Sequence, residues 1–189
     1  MKLLYNPFEK ISENILLLIG TSALIIGSLL AWALNCRFTA ILNIQPGTDP
    51  ELWQPLADNL IIIALLTILL LIFGLIANKK TRPVDVFTAV LMGRIPFYLL
   101  TLANINNFLT DITNSMLAKN PVNPIIGTEY IIFIIVAFAS LAMVAWGLVL
   151  LYSGFKVAVN AKHGWHTIIF IITIVVADAL SGLLILLIP

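Results

Sequence analysis

Five apolar runs, each close to the roughly 20 helical residues needed to cross about 30 Å of hydrocarbon, dominate this sequence. They span residues 15–34 (TM1), 60–77 (TM2), 84–103 (TM3), 131–152 (TM4) and 167–189 (TM5). Inside hydrocarbon every backbone donor and acceptor needs a partner, so spans of this length must be helices or a closed barrel. The runs do not alternate polar with apolar, which excludes the barrel and predicts an all-α, polytopic helical bundle forming a single membrane domain over residues 1–189. Only 10% of the residues are charged while 61% are hydrophobic, and the mean hydropathy is +1.08. An ordinary soluble domain carries about 25% charged residues.

The basic residues orient the chain, because cytoplasmic loops retain Lys and Arg. Lys2 and Lys10 precede TM1, Lys79, Lys80 and Arg82 follow TM2, and Lys156 and Lys162 follow TM4. On the other side lie only Arg37 and Lys119, accompanied by Asp49, Glu51 and Asp58. The asymmetry predicts a cytoplasmic N-terminus and an external C-terminus, and it requires TM3 to be a true crossing despite Asp85, Arg94 and Pro96 within it. Ala31-Trp32-Ala33 and Leu34-Asn35-Cys36 bear a faint likeness to processing sites. TM1 is too long for a signal h-region, and Asn35 is not the small residue that precedes a lipidated Cys, so TM1 is expected to remain as a span.

Two connecting segments are amphipathic, at about 6–14 and 104–117. Asn6, Pro7 and Glu9 form a helix start, with Leu4, Phe8, Ile11 and Ile15 at helical spacing, predicting an interfacial helix before TM1. Ile105, Phe108, Leu109, Ile112 and Met116 form a stripe among asparagines, predicting a helix that covers the bundle. Pro46, Gly47, Pro50 and Pro55 mark an irregular loop between TM1 and TM2, and Pro121 and Pro124 close the third connection.

Charges inside the spans carry the most functional information. Arg94 is the eleventh residue of TM3 and Asp178 the twelfth of TM5, placing both roughly 15 Å from the ends at which those helices start. A lone charge at mid-bilayer costs at least about 2.5 kcal/mol, so opposite charges at one depth are expected to pair. Tyr98 and Thr101 follow Arg94 at i+4 and i+7, and Ser181 follows Asp178 at i+3, extending a polar seam on each helix. Pro96 is expected to kink TM3 beside the arginine. Gly20 with Gly27, and Ser140 with Gly147, stand seven apart and allow close helix contact. The seam admits two readings, a structural ion pair or a polar site for an ion, proton or ligand.

Patterns for catalysis are absent from the sequence: no Gly-rich phosphate loop, no zinc-protease motif and no nucleophile elbow. His163 and His166 have no third ligand nearby, so interfacial anchoring beside Trp165 is expected rather than a metal site. Asp85 suits the start of TM3, where a carboxylate complements the helix N-terminus. The single Cys36 permits no internal disulfide, and a net charge of +1 with no basic block argues against nucleic acid binding. No catalytic residue, cofactor or metal is expected.

Five spans, the Asp85-Val86-Phe87 to Arg94-Ile95-Pro96 segment of TM3, and Tyr152-x-Gly154-Phe155-Lys156-Val157 ahead of an acidic TM5 resemble bacterial members of the Yip-one (Ypt-interacting protein) domain family. The resemblance covers nearly the whole chain after Asn6. It implies a five-helix, non-catalytic protein of the bacterial plasma (inner) membrane that organises or interacts with other membrane components. Eukaryotic relatives are associated with Rab GTPases through a cytosolic N-terminal region, of which only about 14 residues precede TM1 here, so Rab binding is not expected. The expected surroundings are the lipid bilayer, other membrane proteins and self-association. The alternatives are a small transporter or channel built on Arg94 and Asp178 and, third, an intramembrane enzyme. A scaffold needs a closed, paired seam; a transporter needs a hydrated one.

Overall fold

The computed structural model describes residues 2–117, 127–161 and 164–187. Five of its helices are long and apolar enough to cross a membrane: α2 (Glu13–Ala33), α3 (Gln54–Ala77), α4 (Pro83–Leu99, continued by a 3-10 stretch Leu100–Asn107 and by α5, Phe108–Leu117), α6 (Thr128–Val159) and α7 (Trp165–Ile185). The chain is an all-α bundle of an integral, multi-pass membrane protein. A four-residue helix α1 (Lys2–Tyr5) and a 3-10 turn (Pro7–Glu9) precede α2. A hairpin of β1 (Cys36–Phe38) and β2 (Ile44–Pro46) interrupts the α2–α3 connection.

Helix α4 occupies the centre. It is the least apolar of the five, with a most apolar window of mean hydropathy 1.7 against 2.2 to 3.3 for the others, yet 67% of that window is buried. The inversion follows from the solvent: lipid accepts apolar faces at no cost, so the helix with polar groups to hide goes inside. Side-chain-free positions let the neighbours close on it. A Cβ on Gly20 would lie 2.6 Å from Leu91 Cβ, and one on Gly27 would lie 2.3 Å from Tyr98 Cγ, which sets α2 parallel to α4. Gly147 meets Phe97, Gly93 meets Leu151, and Gly154 meets Ala89, which sets α6 antiparallel to it.

Only 6% of the most apolar window of α6 is buried, because its first half stands clear of the bundle. At 32 residues it is roughly 48 Å long at 1.5 Å per residue. Asn160, in the left-handed conformation, ends it, and the N–H groups of Asn160 and Ala161 return to the carbonyls of Val157 and Lys156.

One end of the bundle gathers the N-terminal segment, the 78–82 turn and the end of α6. There Asn78 Nδ2 donates to Val159 O at 2.9 Å, and Arg82 pairs with Glu13 at 3.0 Å and with Asp85 at 3.8 Å. Lys10, Lys79, Lys80, Arg82 and Lys156 therefore share this end; Lys162 and Lys119 lie outside the described residues, as do His163, Pro121, Pro124 and Pro189. His166, 6% exposed, stacks on Trp165 with ring centroids 4.2 Å apart.

Several boundaries differ from expectation. The amphipathic 6–14 segment is not one helix: Pro7–Glu9 makes a single 3-10 turn, and α2 starts afresh at Glu13. Asn6 does face Glu9, donating to its Oε1 at 2.9 Å. Pro55 lies in the first turn of α3 rather than in a loop, so α3 begins six residues before the apolar run does. The α-helix continues through Pro96 as far as Leu99, and non-helical dihedrals follow further on, at Asn104, Ile105 and Asn106. That break also divides the 104–117 stripe. Ile112 is buried and Phe108 and Leu109 are half-buried, while Ile105 and Met116 are exposed.

Candidate functional site

The polar seam forms where the 36–46 hairpin folds back into the bundle. Phe38 and Ile41 are buried to 0% and 1% exposure, so the hairpin is packed within the helices instead of lying over their ends. Its base is held by Arg37, whose Nε and Nη2 donate to the two carboxylate oxygens of Asp58 at 3.0 and 2.9 Å. Asp58 has no exposed surface, and this bidentate pair keeps the Arg37 guanidinium protonated above its ordinary range. Gly47, with φ +72°, turns the chain away and donates its N–H to Asn35 O at 2.8 Å.

Arg94 projects from α4 towards the hairpin tip and is 1% exposed. Its Nη1 donates to Ile41 O at 2.6 Å and its Nη2 to Asn59 Oδ1 at 3.2 Å. Three rings enclose the guanidinium, with Cζ 4.9 Å from the Phe97 centroid, 5.3 Å from Phe38 and 5.8 Å from Tyr98. Ring faces carry partial negative charge and so replace part of the lost hydration. Asn59 relays the network: its Nδ2 donates to Ser28 Oγ at 2.9 Å, and Ser28 Oγ donates to Leu24 O at 2.8 Å. Two atoms are left over. Arg94 Nε and Tyr98 Oη are buried without a hydrogen-bond partner among the described residues.

Asp178 does not form the direct ion pair expected with Arg94. Among the described residues the ion pairs are Arg37–Asp58, Arg82–Glu13 and Arg82–Asp85. Asp178 Oδ1 instead accepts the N–H of Leu42 at 2.9 Å. The physical reason is the hairpin tip, which fills the space between α4 and α7. Of the supporting residues, Tyr98 belongs to the cage, and Thr101 donates to Tyr98 O at 2.8 Å. Ser181 donates to Asp178 O at 2.9 Å, inside its own helix. Pro96 lies two residues beyond Arg94 within α4 and is buried.

Sequence reasoning overlooked Asn59, Ser28, Phe38 and the hairpin. Asp58 and Asn59 immediately precede the apolar run of TM2, so hydropathy alone leaves them in the loop, whereas Pro55 in the first turn of α3 places both inside the helix. Neither Arg94 nor Asp178 lines any of four cavities found among the described residues at the border of the bundle. Comparison of the chain with protein-family models, curated proteins and solved structures gives no match.

Proposed function

We propose that this chain is a non-catalytic integral membrane protein of the Yip-one type that organises, or interacts with, other components of a bacterial plasma membrane. The observation that carries the reading is the closure of the seam. Arg94, 1% exposed, gives Nη1 to a backbone carbonyl and Nη2 to an asparagine and is enclosed by three rings, with only its Nε left without a partner among the described residues. Such a seam locks helices together; it does not present a charge to a passing ion. The exposed first half of α6 supports an interaction role, offering apolar surface that the other described residues do not cover.

The gathering of basic residues at the end bearing the N-terminus supports a cytoplasmic N-terminus. Reporter fusions after Lys80 should read as cytoplasmic, and a fusion after Leu187 as external. Purified protein in sealed vesicles should pass neither protons, alkali cations nor chloride above the level of empty vesicles. A flux abolished by Arg94→Leu would replace the organising role with a transport one.

One observation favours that second reading. A cavity of about 640 Å³, lined by Arg37, Thr39, Asp49 and Gly182 among others, opens at the hairpin end. Gly182 lies one turn beyond Asp178, and a Cβ there would meet Thr39 O at 3.7 Å.

A further inference from the structure

The N-terminal segment is fastened along α6 at two points. Trp146 Nε1 donates to Leu4 O at 2.7 Å, and the Phe8 ring fills the space beside Gly154, where an added Cβ would lie 2.7 Å from Phe8 Cζ. Between the segment and the last turns of α6 lies a cavity of about 510 Å³, within the usual range for small-molecule sites. Tyr5, Glu9, Tyr152, Ser153, Lys156 and Asn160 line it. It lies at the bundle end that carries Lys10, Lys79, Lys80 and Arg82, the level at which lipid headgroups meet such a helix end.

The charges in this cavity are separate and opposite. Lys156 supplies an ammonium that makes no ion pair among the described residues. Glu9 supplies a carboxylate that accepts from the Asn6 amide and has no cationic partner there. The C-terminal carbonyls of α6 add partial negative charge on the side of Asn160. A purely anionic ligand would meet Glu9 and these carbonyls, and a purely cationic one would meet Lys156. A ligand with a phosphate for Lys156 and a proton-donating ammonium for Glu9 satisfies both.

We propose that this cleft binds a zwitterionic headgroup with a phosphate and a primary ammonium, the chemistry of phosphatidylethanolamine, with the acyl chains leaving past Tyr5 and Val157. The site requires only that the protein lies in a bilayer, so it stands or falls separately from the organising role. A quaternary ammonium of the same size has no N–H to give Glu9, which sets the selectivity.

The test is native mass spectrometry of the full chain released from micelles containing equal amounts of phosphatidylethanolamine, phosphatidylcholine and phosphatidylglycerol. The ethanolamine lipid should be retained about tenfold more than either competitor, the scale of one charge-assisted hydrogen bond. Lys156→Ala should lower retention of that lipid about as much, and Glu9→Gln should abolish the preference over the choline lipid. Lys79→Ala, at the same end but outside the cavity, should change neither. Circular dichroism of each variant separates loss of the site from loss of the fold. Equal retention of the three lipids, or insensitivity to both Lys156→Ala and Glu9→Gln, overturns the proposal. So does binding of soluble glycerophosphoethanolamine as tightly as the lipid, since the ligand would then not be drawn from the membrane.

Discussion

Arg94 and Asp178 hold opposite edges of one peptide group. Arg94 Nη1 is 2.6 Å from the carbonyl oxygen of Ile41, and Asp178 Oδ1 is 2.9 Å from the amide nitrogen of Leu42, the two ends of the same bond. No peptide in the described residues is cis, so that C=O and N–H point in opposite directions. The peptide dipole is thereby aligned between the two charges, its negative end on the guanidinium and its positive end on the carboxylate. Two charges that would each be costly in hydrocarbon are joined through a backbone unit that also fixes the hairpin tip.

This arrangement separates two substitutions that a direct ion pair would not. Asp178→Asn keeps an oxygen that accepts from Leu42 N and should cost under about 1 kcal/mol, the net scale of a neutral hydrogen bond. Asp178→Leu leaves that N–H unsatisfied and should cost about 1–3 kcal/mol, with a sub-additive cycle against Arg94→Leu because both act on one peptide. Unfolding in mixed micelles measures all four variants. An Asp178→Asn cost of about 3–5 kcal/mol would point to a broken buried ion pair instead.

Hydropathy made the bundle legible because lipid demands long apolar helices, and the equal depths of Arg94 and Asp178 drew attention to the right layer of the structure. What hydropathy could not reveal was a partner made of backbone. Ile41 and Leu42 are an apolar pair in a loop, and nothing in their side chains marks the peptide between them as a ligand for two charges. Asn59 was hidden for a different reason: the apolar run starts at Leu60, whereas the helix starts at Gln54, where polar residues are tolerated because the hairpin covers them. The small residues Gly20, Gly27 and Gly147 were readable as contact points, though not which helix they would meet.

Gly27 offers a test of how tightly the cage is built. An added methyl would lie 2.3 Å from Tyr98 Cγ and 2.7 Å from Tyr98 Cβ, so the ring must move, and with it the edge-on packing of Tyr98 against Phe38 at 5.8 Å. Gly27→Ala should cost about 1–3 kcal/mol, the ordinary cost of overpacking. Gly164→Ala, with no described atom within 4 Å, should stay within about 0.5 kcal/mol. Equal effects in the same unfolding assay would show that α2 can retreat from Tyr98.

Cys36 should be chemically quiet. It is 1% exposed, and burial pushes its thiol from 9.0 up to about 11, partly offset by a hydrogen bond with Asn104. The reactive thiolate at neutral pH is then roughly a hundredfold scarcer than for an unperturbed thiol. Because the raised pKa favours the protonated form, labelling by maleimide in native micelles should be slow at pH 7 and rise about tenfold per pH unit towards pH 11. In denaturing detergent it should become fast at once. Rapid labelling at pH 7 in native micelles would show that the hairpin leaves its seat between the helices.

Asn59 decides whether the network is held by hydrogen bonds or by packing alone. Its amide occupies both ends of a relay, accepting from Arg94 at 3.2 Å and donating to Ser28 at 2.9 Å, and it has no exposed surface. Asn59→Leu keeps the branching at Cγ while removing the acceptor next to a buried guanidinium whose Nε already lacks a partner among the described residues. The cost should be about 1–3 kcal/mol, because the stranded donor, not the lost contact area, sets it. Asn59→Asp keeps the acceptor and adds a negative charge beside Arg94, while Ser28 can turn its hydroxyl from Leu24 O towards the new carboxylate. It should therefore be less destabilising than the leucine variant, and the double change Asn59→Leu with Arg94→Leu should recover part of the loss by removing the stranded charge as well. Thermal unfolding in detergent resolves the order, and a leucine variant as stable as the parent would mean that packing alone holds the seam.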